Sequence, residues 1–136
     1  MIRRLALAGI LVAALTVAAA PALAKGPHSD SSITLNQGSA GLASTAPHLG
    51  GSVSFTVVYP GNVKTPRVEV LCYQNGSLVY GEGGSPSDSF LLGGGGSLWL
   101  TAGGSANCVA NLYYFTWNAG TPGTTYLATT SFDAAG

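Results

Sequence analysis

The 136-residue chain carries five lysines and arginines against five aspartates and glutamates, so its formal net charge is zero. Nucleic acids and anionic membranes are held by clustered positive charge, and with no basic patch here neither is expected as a partner. Charged residues make up only 7% of the chain, which leaves Ser, Thr, Asn and Gly to solvate the surface, as in many exported β-proteins.

Residues 1–24 read as a cleavable signal peptide. Arg3 and Arg4 form its positive start, residues 5–20 are an unbroken run of apolar and small side chains, and Ala22-Leu23-Ala24 is a small-x-small cleavage site. The run is short for a membrane anchor and stops at a proline, so no membrane insertion is expected after cleavage. The expected location is extracellular. Residues 25–30 read as a flexible arm and 31–136 as one domain. In the mature span Lys25, Lys64 and Arg67 stand against Asp30, Glu69, Glu82, Asp88 and Asp133, a slightly acidic balance.

Ser31-Ser32-Ile33-Thr34-Leu35-Asn36 alternates and predicts a first edge strand, followed by a Gly/Ala/Ser/Pro loop over 37–51. Ser52-Val53-Ser54-Phe55-Thr56-Val57-Val58-Tyr59 predicts a half-buried strand with Val53, Phe55, Val57 and Tyr59 on one face. After a Pro60-Gly61-Asn62 turn, the next strand puts Val68, Val70 and Cys72 inward and Arg67, Glu69, Leu71 and Tyr73 outward. Asn75-Gly76 is a strong hairpin signal that folds residues 77–80 back beside it. Residues 82–88 read as a mobile surface loop, and 89–92 and 97–101 as two short strand-like pieces around four glycines. The longest apolar-aromatic run follows over 106–117. Cys108, Ala110, Leu112 and Tyr114 point one way along it, and Val109, Tyr113, Phe115 and Trp117 the other. A turn over 118–123 leads to a last strand with Tyr126, Ala128, Thr130 and Phe132 in phase.

No ten-residue stretch of the mature chain has helical periodicity. Short strands separated by Gly/Pro/Asn turns predict an all-β, immunoglobulin-like Greek-key sandwich of about seven to eight strands. In that arrangement Cys72 lies on the third strand and Cys108 on the sixth, neighbours in one sheet. The two cysteines of an exported chain predict one disulfide, Cys72–Cys108. The alternatives are free thiols or a metal site, which would need two more ligands.

Three segments, residues 70–80, 97–115 and 127–132, together resemble small immunoglobulin-like domains of secreted bacterial and phage-borne proteins. The resemblance implies a display, adhesion or binding module and specifies fold rather than chemistry. Unlike antibody-type domains, the second strand has no cysteine, and Ala106 stands where the tyrosine of a tyrosine corner would be. Bacterial chromoprotein apoproteins share the size class but carry two disulfides.

Catalysis by a Ser-His-Asp or Cys-His device needs a histidine on the scaffold, whereas His28 and His48 fall in the arm and the first long loop. Glu69 reads as an outward partner of Arg67 or Lys64, and Glu82, Asp88 and Asp133 as solvated loop or terminal charges. No cofactor and no metal are expected. The outward set Tyr73, Tyr113, Phe115 and Trp117, with Leu71 and Val109, is the candidate binding face. The expected function is a non-catalytic secreted module that binds a protein or a surface glycan, or pairs as a homodimer, through this face or the end loops. The competing readings are a small secreted glycoside hydrolase and a small-molecule carrier.

Overall fold

The computed structural model describes residues 30–36 and 46–136. The signal peptide, residues 25–29 of the arm with His28, and residues 37–45 of the first long loop lie outside the described residues. Among the described residues seven strands run in chain order: β1 (Ser32–Asn36), β2 (Ser52–Val58), β3 (Arg67–Gln74), β4 (Ser77–Gly84), β5 (Phe90–Leu91), β6 (Ala106–Asn118) and β7 (Thr121–Ala134). They form two antiparallel sheets, ordered β1-β2-β5 and β4-β3-β6-β7. This is the predicted sandwich, and the third and sixth strands adjoin as expected.

Alternation built the core. Val68, Val70 and Cys72 of β3 and Cys108, Ala110 and Leu112 of β6 all turn inward and are buried. From the facing sheet Phe55 reaches across to Phe132 of β7 (ring centroids 6.1 Å apart) and sideways to Phe90 (6.0 Å). Cys72 and Cys108 stand directly opposite in register and are bridged, with Cα atoms 4.0 Å apart. The bridge therefore ties two adjacent strands of one sheet.

Several boundaries differ from the sequence reading. The first three residues of the expected loop 82–88 continue β4, paired with Val70, Glu69 and Val68. Residues 97–101 do not form a strand. Ser97 and Leu98 bond to the carbonyl of Val79, and a 3-10 turn follows over Thr101–Gly103. Buried Gln74 fixes that turn: its Nε2 donates to the carbonyls of Leu100 (2.9 Å) and Gly104 (2.8 Å), and its Oε1 accepts from Leu100 N–H (3.2 Å). Tyr59 lies past the end of β2 and is exposed rather than in the core. The expected turn over 118–123 contracts to Ala119-Gly120, so β6 and β7 run on to Asn118 and Thr121.

The remaining correction concerns phase. The register of β7 against β6 shifts where Leu112 faces Ala128 but Tyr113 faces Tyr126, leaving Leu127 as the extra residue of a bulge. Leu127 and Ala128 are both buried, and Tyr126 is turned to the outer face instead of sharing the inner one with Phe132.

Candidate functional site

The outer face of the four-stranded sheet can be read row by row from the register. Tyr73, Asn107 and Asp133 stand abreast at one end. Leu71, Val109 and Ser131 follow, then Glu69, Asn111 and Thr129, then Arg67, Tyr113 and Tyr126. β3 begins at Arg67, so β6 and β7 continue alone for five residues each, about 17 Å. On this overhanging hairpin Phe115 faces Thr124 and Trp117 faces Pro122.

The expected parity of β6 holds, and three of the four candidate residues come together. Tyr113 packs edge-on against Phe115 (centroids 5.5 Å, planes at 85°) and tilted against Tyr126 (5.9 Å, 46°). Tyr73 lies three rows away, about 20 Å by strand rise, and does not share the cluster. Exposure separates the roles. Trp117 is 72% exposed, Phe115 56% and Tyr126 49%, whereas Tyr113 retains only 9%. Tyr113 packs between Phe115 and Tyr126, and Trp117 stands farther out along the same face of β6. β4 offers only backbone below, since a Cβ on Gly83 would stand 3.7 Å from the Tyr113 hydroxyl.

A polar row flanks the rings. Asn111 Nδ2 donates to Glu69 Oε1 (3.0 Å), and Thr129 Oγ1 donates to Asn111 Oδ1 (2.8 Å). The negative charge of Glu69 is the main cause holding the Tyr126 phenol above its ordinary range, with burial, hydrogen bonding toward Glu69 and the neighbouring Tyr113 adding to it. Glu69 is thus held by Asn111 rather than by the expected Arg67 or Lys64.

Beside Arg67 a groove of about 420 Å³ opens at the same end of the sandwich, lined by Tyr59, Thr65, Pro66, Ser85 and Ser87 among others. Thr65 holds a positive φ of 49° there. Ring platform, polar row and groove therefore adjoin.

Glu69 and Glu82 are placed on opposite faces of the sheet. Glu69 faces outward from β3, while Glu82 faces Val70 on the opposite side of the sheet and accepts a hydrogen bond from Tyr80. Glu69 and Glu82 are therefore not a pair that could flank one glycosidic bond, whereas Asp88 lies on the Glu82 face, against Gly84. Burial, with the adjacent charge and bond of Glu82, pushes the Tyr80 phenol well up. Asp88 accepts the N–H of Ser85 (2.6 Å) and closes a local turn. His48 pairs through its backbone with Ala135, away from the ring platform.

Tyr126 and the Glu69–Asn111–Thr129 row were not singled out from the sequence. The available signal was Tyr126-Leu127-Ala128, three consecutive nonpolar residues that break a period of two, which is how a bulge looks in a strand. No family model matches this chain, and no curated protein or solved structure matches it.

Proposed function

We propose that this chain is a secreted, non-catalytic binding module of the small immunoglobulin-like kind, and that it engages a surface glycan through Trp117, Phe115 and Tyr126. The observation that carries the reading is their exposure on one face, Trp117 and Phe115 on an overhanging hairpin and Tyr126 at its base, with Tyr113 packed against Phe115 and Tyr126. Apolar rings left this open mark a contact surface. Ring faces stack on the C–H faces of sugars, while carboxylate, amide and hydroxyl groups such as those of Glu69, Asn111 and Thr129 match sugar hydroxyls. Export suits a chain whose two cysteines form a bridge.

A glycan array probed with the oxidised protein and with Trp117→Ala tests this. The expected result is a restricted set of glycans whose signal falls at least tenfold in the variant. An array signal unaffected by Trp117→Ala would refute the site. Light scattering across concentration belongs beside it, because a dimer that dissociates in Trp117→Ala would assign the platform to a second copy of the chain instead.

A further inference from the structure

A second surface lies at the opposite edge of the same sheet and is independent of the ring platform. Among the described residues β4, eight residues long, forms one edge of that sheet and β7 the other. β5 has two residues and β1 five, and β7 is closed near its end, where Ala135 exchanges bonds with Pro47 (2.9 Å) and Leu49 (2.8 Å).

The direction of the β4 backbone groups follows from register. Cys72 and Cys108 face each other at 4.0 Å, the close spacing of a non-hydrogen-bonded pair. Cys72 therefore turns its N–H and C=O toward β4, where it meets Tyr80. By alternation Tyr80 and Glu82 direct their backbone groups at β3, whereas Gly81 and Gly83 direct theirs off the edge. Edge strands are commonly guarded by lysine, proline or a covering loop, but both outward positions here are exposed glycines.

The chain itself already lays one rung against this edge. Leu98 donates its N–H to the carbonyl of Val79 (2.8 Å), and Ser97 Oγ donates to the same oxygen (2.9 Å). The residues before this rung, Gly94, Gly95 and Gly96, stay beside the edge across the groove without a backbone bond to Gly81 or Gly83. From there two concavities, of about 200 and 310 Å³, follow the edge and share Tyr80, Gly81, Gly94 and Gly95. Leu78 and Leu98 rim one end and Leu91 the other, each about half exposed or more. Glu82 supplies a negative charge to the wall.

We propose that the β4 edge is a peptide-docking site that takes an extended segment of a partner protein as an added strand. Backbone bonds to Gly81 and Gly83 would continue the rung begun at Val79, and alternate side chains of the peptide would fall toward the groove. The chemistry of the lining specifies the segment. An apolar residue suits the gap between Leu91 and Leu98, and a lysine or arginine suits Glu82.

The test is selection of a phage-displayed random heptapeptide library on the oxidised protein, followed by amide exchange with the enriched peptides. Enriched sequences should alternate apolar residues and carry a basic one, and should slow exchange at Gly81 and Gly83 at least tenfold. Gly81→Pro removes the outward N–H at a position where an edge strand tolerates proline, and should weaken the peptides at least tenfold with the fold intact. Glu82→Gln should weaken the basic peptides several-fold, and Trp117→Ala should leave them unaffected, which separates this site from the glycan platform. No enrichment, protection confined to other amides, or undiminished binding to Gly81→Pro would each overturn the proposal.

Discussion

Tyr113 and Trp117 lie four residues apart on one face of β6, yet truncating them has opposite consequences. Trp117 is open to solvent, so Trp117→Ala should change stability by no more than about 0.5 kcal/mol while removing most of the binding. Tyr113 is buried between Phe115 and Tyr126, and losing an aromatic side chain of that burial costs about 3 kcal/mol. Urea denaturation of the two variants distinguishes them, and equal midpoints would contradict the assigned roles. Gln74 is a third residue whose weight lies in what it satisfies. Gln74→Leu would orphan the carbonyls of Leu100 and Gly104 and should cost about 2–3 kcal/mol in the same assay. Tyr80 gives a pH signature. Its phenol stays protonated in the fold to higher pH than in the unfolded chain, where the ordinary value is about 10. Its contribution is present in full below that pH, and is lost as pH rises further because the unfolded chain gives up its proton first. Stability should therefore fall above about pH 10, and Tyr80→Phe should flatten that fall.

The two hairpins show what is legible at the scale of elements. Asn75-Gly76 announces a two-residue turn with both central residues at positive φ, and both have it, at 49° and 80°. Ala119-Gly120 makes the same kind of turn, at 49° and 83°, but an alanine sends no such signal, and the sequence there suggests a longer turn over 118–123. The local cost should be measurable. Ala119→Gly or Ala119→Asn relieves a left-handed alanine and should raise stability by about 1 kcal/mol, seen as a higher melting temperature. An unchanged or lower melting temperature would mean that the turn is not strained at Ala119. Strand phase was legible wherever alternation was unbroken, as in β3 and β6, because period two maps directly onto faces. It was lost in β7 because a bulge adds one residue without changing composition. The β4 extension was hidden for a related reason: glycines at 81, 83 and 84 resemble a loop, although here Gly81 and Gly83 leave the outer face bare beneath Leu71 and Tyr113.

For the whole molecule, the sandwich and its bridge were accessible from the sequence because two cysteines on alternating strands and the number of strands converge on one arrangement. The platform was only partly so. Its ring residues could be read, but which of them is covered depends on the overhang of β6 and β7 past Arg67, a property of register between distant strands. The bridge carries the last expectation. It closes a sequence separation of 36, and constraining a loop of that size in the unfolded chain is worth about 4 kcal/mol in the chain-entropy account. A domain of this size has only about 5–15 kcal/mol in all. Cys72→Ala with Cys108→Ala should therefore lower the melting temperature by about 20 °C, because β3 and β6 remain paired by their own ladder while the unfolded state gains freedom. The denaturant slope separates this cause from lost native packing. A less constrained unfolded chain exposes more surface, so the slope should rise in the double variant. An unchanged slope with a lower midpoint would place the loss in the core around the two buried sulfurs, and an unchanged midpoint would refute the stabilising role of the bridge. If the stabilisation is of the expected size, the domain keeps its full stability only where the bridge stays oxidised, which links the proposed export to the integrity of the sheet that carries both candidate binding sites.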